Sequence, residues 1–209
     1  MTIGATIRGL FGPYEGLVTD AYRSLYIDLD DWAEQLHEAC PNASRILEIG
    51  CGEGASTERL LNVFSDANVT AIDITPRIGR LFAGDTSRVT FKQTHVSDIA
   101  RSQPGSFDLV VMCDVLHHVP LTERMALIAD IHQTIKLGGC FAFKDWAPSA
   151  TPIHWMCYAS DRYLTGDSVH FATPAEMKAL LANVFGAAKV GNAASVRPWR
   201  NNISFLVRL

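Results

Sequence analysis

The residues best suited to do chemistry lie in the run ILEIGCGEG at positions 46–54. Glu48 belongs to a short apolar strand, and Gly50, Gly52 and Gly54 follow at alternate positions before a helical pattern begins. Glycine is needed where the backbone turns sharply or passes close to a ligand, because a Cβ would clash there. A strand that leads through a glycine-rich turn into a helix N-terminus is typical of nucleotide-type cofactor sites in open α/β sheets. The run therefore predicts a site of this kind.

The spacing of the glycines separates this loop from the best-known dinucleotide site. The pattern here is G-x-G-x-G, whereas dinucleotide-binding folds carry G-x-G-x-x-G. With Glu48 two residues before the first glycine, the run resembles the first motif of the S-adenosylmethionine-dependent methyltransferases with a Rossmann-like fold. The resemblance implies that the loop, Cys51 included, wraps the methionine part of S-adenosylmethionine, and that Glu48 lies near the ammonium group.

Acidic residues after the second and third predicted strands extend the resemblance. Asp73 follows the glycine loop by about 20 residues, a position from which a carboxylate accepts hydrogen bonds from ribose hydroxyls. If Asp73 binds the ribose, Ile74 is expected to pack on the face of the adenine. The alternative is that Asp73 only belongs to a surface turn. Asp98 resembles the family position that accepts from the adenine amino group, with Ser97 beside it. Asp98 also fits a helix N-cap.

The run FDLVVMCDVLHHV at positions 107–119 resembles the family's fourth motif. Asp114 falls at the carboxyl end of a strand, where ligands bind in open α/β sheets, and the resemblance places it near the ammonium and the sulfonium. His117 and His118 come next, where an acceptor would meet the methyl group. A histidine can take a proton from a hydroxyl or an amine near neutral pH. We expect one of the two, His117 before His118, to face the pocket, and the alternative is that they only pack against the next helix.

The elements that must position these residues alternate between strand and helix from about residue 45, which predicts a parallel sheet. The predicted strands cover residues 45–49, 69–74, 89–95, 107–113, 140–144, 188–196 and 202–207. A helix is expected to open at Pro76, and another runs from 122 to 136 and ends at Gly138 and Gly139. Residues 173–176 form a predicted capping box. The fold class is α/β, a seven-stranded mostly parallel sheet flanked by helices; the family implies an antiparallel C-terminal hairpin.

The chain length of 209 residues suits a single domain, which we take as residues 1–209. Residues 1–44 form a predicted helical arm, and residues 45–209 form the catalytic core. Within this core, residues 145–172 lack a clear period and form a variable substrate segment. The arm and this segment are the candidates for a lid over the pocket, while the alternative is that the arm covers one edge of the sheet.

Composition narrows the classes of partner. A formal charge of −4 and a pI of about 5.9 argue against nucleic acid as a partner. No apolar run reaches the length of a membrane span. The five cysteines show no C-x-x-C spacing, which predicts reduced thiols, a cytoplasmic location and no metal site.

The sequence thus predicts methyl transfer from S-adenosylmethionine to an oxygen, nitrogen or carbon atom of a small-molecule acceptor, with S-adenosylhomocysteine as product. An NAD-dependent oxidoreductase is one alternative, although it should carry G-x-G-x-x-G. A non-catalytic regulator that binds the cofactor is another. The fourth strand lacks the Asn/Asp-Pro-Pro-Tyr/Phe motif of enzymes that methylate base amines. The acceptor and the oligomeric state stay open.

Overall fold

The computed structural model describes residues 27–159 and 169–209. Residues 1–26 of the predicted arm and residues 160–168 of the predicted substrate segment lie outside the described residues. No helix in the described part of the chain is long and apolar enough to cross a membrane.

Helices and strands alternate through most of the described chain. In chain order they are α1 (Leu29–Ala39), β1 (Arg45–Ile49), α2 (Ala55–Val63), β2 (Asn68–Asp73), β3 (Val89–Gln93), α3 (Val96–Ser102), β4 (Phe107–Cys113), α4 (Arg124–Thr134), β5 (Ile135–Trp146), α5 (Pro152–Ala159), α6 (Pro174–Phe185), β6 (Ala194–Ser195) and β7 (Asn202–Arg208).

The strands form one sheet in the order β3-β2-β1-β4-β5-β7-β6. Strands β1 to β5 run parallel, and β7 is antiparallel to both β5 and β6. The predicted seven-stranded, mostly parallel sheet with an antiparallel C-terminal hairpin is confirmed. The chain moves outward from β1 to β3 on one side and from β4 to β5 on the other. Ligands bind outside the carboxyl ends of the strands where this direction changes, which here are β1 and β4.

Helices cover both faces of the central strands, so these strands are almost wholly apolar. Leu47 in β1 and Val110 in β4 are fully buried. On one face the core is completed by α3, α4 and α6, and on the other by α1 and α2. Trp32 of α1 lies in this second core, so the end of the predicted arm packs on the sheet.

The glycine pair before the fifth strand does not end a helix, so that prediction is wrong. Helix α4 already ends at Thr134, because Ile135 is extended and pairs with Phe107 of β4. The glycines instead form an irregular bend inside β5, after which the strand pairs in a new register. Gly138 has a φ of +80°, and a Cβ on Gly139 would lie 2.9 Å from the carbonyl oxygen of Asp108.

Two other boundaries also differ from the prediction. The chain after Pro76 forms turns and no helix, because the Gly79 amide is bonded to the carbonyl oxygen of Gly52 in the glycine loop. The strand predicted over 188–196 is reduced to β6, which has two residues. The capping box is confirmed: the Thr173 hydroxyl accepts from the amide of Glu176, whose carboxylate accepts from the amide of Thr173.

Asp108 joins three parts of the sheet at its amino edge. Its Oδ2 accepts from the amides of Ser44 and Arg45 at 3.1 and 2.9 Å, and its Oδ1 lies 3.0 Å from Nζ of Lys136. Burial works to raise the pKa of Asp108, but the Lys136 ammonium and these donors outweigh it and hold the pKa at about 2. The carboxylate therefore stabilises the folded state above its ordinary pKa and loses this effect as the pH falls toward 2.

We predict that Asp108→Asn lowers the free energy of unfolding at pH 7 by about 1 kcal/mol, a value reduced because the carboxylate partly faces water. The difference from the parent should shrink between pH 4 and pH 2, since Asp108 becomes protonated there. Urea unfolding, followed by circular dichroism at each pH, measures the loss of unfolding free energy at pH 7 and its change at lower pH. Asp66→Asn, at an exposed aspartate, is the control. A difference that stays constant down to pH 2 would contradict this role.

Candidate functional site

The glycine loop lies between the ends of β2 and β4. The amides of Gly50 and Cys51 donate to the carbonyl oxygen of Ile72 at 2.8 and 3.1 Å, which turns the loop back over β2. Gly50 has a φ of +74°, and a Cβ there would lie 2.2 Å from Cγ2 of Val115. Gly52 also has a positive φ, but among residues 27–159 and 169–209 nothing lies within 4 Å of where its Cβ would be. The loop is therefore packed at Gly50 and open to a ligand at Gly52.

The other predicted loop residues differ in what they can offer a ligand. Gly54 is the N-cap of α2 with a φ of +99°, and a Cβ on it would lie 2.9 Å from Cβ of Phe82. The Cys51 side chain is buried in the core under the loop. Cys51 can therefore meet a ligand in the loop through its backbone only.

Glu48 is a buried carboxylate that faces the start of α2. One of its oxygens accepts from the hydroxyl of Ser56, and Oε2 accepts from Thr57 Oγ1 at 2.5 Å. Burial raises the pKa of Glu48, although the two hydroxyl donors act in the opposite direction. A cation bound close to this carboxylate would favour its ionised form. The geometry thus suits the expected role beside an ammonium group, which stays a prediction.

Asp73 reaches the glycine loop directly. Its Oδ2 accepts from the amide of Gly52 at 2.8 Å, and its Oδ1 accepts from the amide of Thr75 at 2.8 Å. Each carboxylate oxygen can accept more than one hydrogen bond, so the group can still bind hydroxyl donors. The Ile74 side chain next to it is 65% exposed, as a surface for a flat ring requires. The structure therefore brings Asp73 and Ile74 to the loop, and their contacts with a ligand stay predictions.

Asp98 and Ser97 lie on the first turn of α3. His95 holds the N-cap position, so the N-cap alternative for Asp98 is wrong. The Asp98 carboxylate accepts from Thr94 Oγ1 at 2.8 Å and binds the guanidinium of Arg101. Its pKa is lowered, chiefly by the Thr94 hydroxyl. The contacts of this carboxylate thus lead to Thr94 and Arg101, and its adenine role stays a prediction.

Asp114 follows β4 in an unusual backbone conformation. Its φ is +57°, which is rare outside glycine and is often found at functional sites. The amide of Asp114 donates to the carbonyl oxygen of Lys144 at 3.0 Å, and the carboxylate lies 2.6 and 2.7 Å from Nζ of Lys144. Lys144 is fully buried in β5. The charge expected to attract the cofactor is thus already balanced by a lysine of the protein.

His117 is bonded to a second carboxylate of β5. Asp145 Oδ1 lies 2.5 Å from Nδ1 of His117, and Oδ2 accepts from the His117 amide at 3.0 Å. Both side chains are buried. Burial acts to raise the pKa of Asp145, but His117 and Lys144 hold that pKa below its usual range. Nδ1 of His117 is thus engaged by a carboxylate that also binds the amide of the same residue.

Aromatic rings and an arginine enclose His117. The His118 ring is centred 4.1 Å from the His117 ring, and Phe171 is stacked on His117 at 5.0 Å. The His117 carbonyl accepts from the amide of His170 at 2.9 Å. The buried Arg124 donates to the carbonyl oxygens of Val119 and His170, which fastens the turn after β4 to the segment before α6.

Sequence analysis missed three of these residues: Lys144, Asp145 and Arg124. A signal was present, because Lys144 and Asp145 are adjacent charges at the carboxyl end of an apolar strand. Asp145 belongs to β5 and not to the predicted variable segment, so the prediction for this residue is wrong. One ligand atom each of Asp114, His117 and Asp145 lie within 4.8 Å of one another, a spacing that also suits a cation. The Lys144 ammonium already binds Asp114 there, so a metal ion would have to compete with it.

Comparison with known sequences relates the chain to methyltransferases. Residues 46–139 match the family model described as a methyltransferase domain. The ubiquinone biosynthesis O-methyltransferase of Xanthomonas campestris pv. campestris (strain B100) is 31% identical over 173 residues, which cover 78% of this chain and 70% of that protein. The protein of the same name from Xanthomonas euvesicatoria pv. vesicatoria (strain 85-10) is 30% identical over 168 residues, 76% of this chain and 69% of that protein.

Solved structures show the same fold at lower identity. The S-adenosylmethionine-dependent methyltransferase SibL in its apo form has a TM-score of 0.69 and 18% identity over 93% of this chain, which spans 57% of the SibL chain. The 1,6-didemethyltoxoflavin-N1-methyltransferase of Burkholderia thailandensis, with bound 1,6-didemethyltoxoflavin and S-adenosylhomocysteine, has a TM-score of 0.66 and 20% identity. That match covers 98% of this chain and 87% of the other.

We predict that Lys144→Met lowers the free energy of unfolding by about 2 kcal/mol, because it leaves the partly exposed Asp114 carboxylate without its partner. The double variant Asp114→Asn, Lys144→Met should regain part of this loss, since both charges are then absent. Urea unfolding provides the values. Lys136→Met is the matched control, because that lysine is exposed and its ion pair is worth less than about 1 kcal/mol. An equal loss in the two lysine variants would show that the buried pair has no special weight.

Proposed function

Because this chain belongs to the S-adenosylmethionine-dependent methyltransferases with a Rossmann-like fold, we propose that it methylates a hydroxyl oxygen of a small molecule, with His117 as the general base. Membership of this family contradicts the NAD-dependent oxidoreductase that the sequence left as an alternative. The observation that carries the proposal is the buried His117–Asp145 pair at the carboxyl ends of β4 and β5. The glycine loop contacts the same segment through Val115.

The residues around the loop fit the cofactor. Gly52 leaves open space beside the backbone, as the close approach of a ligand requires. Asp73 would accept from ribose hydroxyls, Ile74 would pack on the adenine, and Glu48 would lie on the side of the ammonium group. When bound, S-adenosylmethionine supplies a methyl group on a positively charged sulfur, which an electron pair of the acceptor can attack.

The choice of an oxygen acceptor rests on the chemistry of the base and on the names of the relatives. A hydroxyl is a weak nucleophile and must lose its proton as the new bond to carbon forms, so a base near neutrality speeds its reaction. Nε2 of His117 would accept this proton. The curated relatives are named O-methyltransferases, which favours the same acceptor atom.

Asp145 would act as a positioning residue for this base. Its two oxygens bind Nδ1 and the amide of His117, so they hold both the ring and its backbone. A carboxylate on Nδ1 keeps the proton there, leaves Nε2 as acceptor, and stabilises the ring once it is protonated. The stacked Phe171 and the packed His118 restrict ring movement. We therefore assign His118 to packing and leave the proton transfer to His117.

The rest of the catalytic effect would come from alignment. Methyl transfer requires the acceptor oxygen, the methyl carbon and the sulfur to lie in line, and holding them so removes much of the barrier. The segment from 145 would contribute through α5 and through Phe171, whose ring contacts His117.

We predict that Asp73→Asn weakens binding of S-adenosylhomocysteine at least about tenfold, because hydrogen bonds to a charged group contribute about 1.5–3 kcal/mol. Isothermal titration calorimetry measures the affinity, and NAD serves as a ligand that should not bind. Asp66→Asn, at an exposed aspartate, should bind as the parent does. Affinity within twofold of the parent in a folded Asp73→Asn protein would place this residue outside the site.

We predict that His117→Gln lowers turnover by roughly 10²–10⁴-fold with a phenolic or other hydroxyl acceptor, while binding of S-adenosylhomocysteine is unchanged. The parent rate should fall as the pH drops through the range where histidine gains a proton, because the protonated ring cannot accept another. Asp145→Asn should shift this fall toward lower pH, since the neutral amide no longer stabilises the protonated ring.

His118→Gln distinguishes the two histidines, because its turnover should stay within a few-fold of the parent. Initial rates across pH 5.5–9 with a panel of hydroxyl, amine and carbon acceptors give the comparison. If only amines were methylated, the acceptor atom would be nitrogen, and the proposal of an oxygen acceptor would be wrong. Parental rates and a flat pH profile in His117→Gln would mean that the enzyme works by alignment without this base.

A further inference from the structure

A cavity lies at the opposite edge of the sheet from the glycine loop. Its volume is about 320 Å³, and its walls come from the end of α1, the start of β4, the bend in β5 and the end of β7. Cys40, Asp108, Lys136, Cys140 and Arg208 line it. These residues lie at the amino ends of the parallel strands, whereas the glycine loop follows their carboxyl ends. The proposed methyl transfer uses none of them.

Two thiols face each other in this cavity. Cys40 is the C-cap of α1, and Cys140 lies in β5 opposite Leu109 of β4. Both side chains line the cavity, and Cys40 packs against the buried cluster that contains Cys140. Cys140 is buried, whereas Cys40 is partly exposed. The two residues are far apart in sequence, and their meeting depends on α1 packing against the sheet.

A guanidinium is held against the same pair. Nη1 of Arg208 lies 3.6 Å from the sulfur of Cys140. The Arg208 guanidinium also donates to the carbonyl oxygen of Ala39 at 3.2 and 3.1 Å, which fixes it at the end of α1. The other charged groups that line the cavity, Asp108 and Lys136, are paired with each other. Arg208 is therefore the cation that stabilises negative charge on Cys140.

The two sulfurs differ in acidity as a result. The Cys40 hydrogen bond and the Arg208 charge lower the pKa of Cys140 to about 7, although burial opposes this. The pKa of Cys40 is raised well above its usual range, chiefly by its hydrogen bond with Cys140. Burial raises the pKa of Cys51 and of Cys113. A thiolate is the reactive form of cysteine, so Cys140 should react before Cys51 and Cys113, whose thiols keep their protons at neutral pH.

We propose that Cys140 and Cys40 form a dithiol that reacts with hydroperoxides and closes to an intramolecular disulfide. The Cys140 thiolate attacks one peroxide oxygen, the O–O bond breaks, and the other oxygen leaves and gains a proton. Cys140 is thereby oxidised to a sulfenic acid, and the peroxide is reduced. The sulfur of Cys40 then loses its proton and attacks the sulfur of Cys140, while the S–O bond breaks and the oxygen departs as water.

The disulfide would join the end of α1 to β5 across the long segment between the two cysteines. A crosslink over such a loop restricts the unfolded chain, so the oxidised protein should melt at a higher temperature. The site lies at the other edge of the sheet from His117 and does not depend on methyl transfer. A failed methyltransferase assay would therefore leave this proposal intact, and the reverse also holds.

The experiment treats the reduced chain of 209 residues with a stoichiometric amount of hydrogen peroxide at pH 7 and then alkylates the remaining thiols. We expect a peptide pair linked through Cys40 and Cys140 in mass spectrometry without reductant, and faster migration in a non-reducing gel. Cys40→Ser should stop at a dimedone-reactive sulfenic acid on Cys140. Cys140→Ser should leave Cys40 unoxidised, because the reactive thiolate is missing.

Arg208→Gln tests the electrostatic part of the proposal. Loss of the guanidinium should slow oxidation of Cys140 about five- to tenfold at pH 7, because fewer molecules carry the thiolate. Arg208→Lys should restore part of the rate, and Arg200→Gln, at an exposed arginine, should match the parent. Oxidation of Cys51 or Cys113 at the same rate as Cys140, or disulfides with mixed partners, would overturn the proposal.

Discussion

The contact between the glycine loop and the segment after β4 is the constraint on which the site depends. A side chain at position 50 would overlap Val115, and the positive φ of Gly50 also disfavours any other residue. The loop can come this close only because β1 pairs with β4 in the middle of the sheet. The same pairing places Val115, two residues before His117, against Gly50 of the loop. The positions of the cofactor loop and of the proposed base thus both depend on the packing of Gly50 against Val115.

The carboxyl edge of the sheet, where the proposed site lies, also requires that its charged side chains be paired. Asp114 and Asp145 approach each other where Asp145 is fully buried and Asp114 is partly exposed, and two uncompensated carboxylates would be costly there. Lys144 offsets the first and His117 binds the second, so each carboxylate has its own partner. This arrangement gives His117 a defined ring orientation. It also means that the positive charge of a cofactor would enter a site whose carboxylates are already paired.

The two edges of the sheet carry different chemistry for the same structural reason. Loops begin where strands end, and the edges of the sheet are less buried than its centre. Polar and reactive side chains therefore occur at the edges, whereas the central strands are apolar. At the carboxyl edge these are the carboxylates and histidines around His117. At the amino edge they are the thiols of Cys40 and Cys140, with Arg208 and the Asp108 network beside them. The separation allows one edge to be modified without direct contact with the other.

Local pattern in the sequence determined the alternation of strands and helices, the glycine loop, the capping box at Thr173 and the family, because these depend on neighbouring residues. Tertiary structure alone decided the partners of side chains distant in sequence. It paired Asp114 with Lys144 and bent β5 at Gly138 and Gly139, because strand register brings together residues that no periodicity connects. The Asp145 contact with His117 arose in the same way. Each of these residues is visible in the sequence. Which of them contact each other depends on how the strands pack, and no local pattern contains that information.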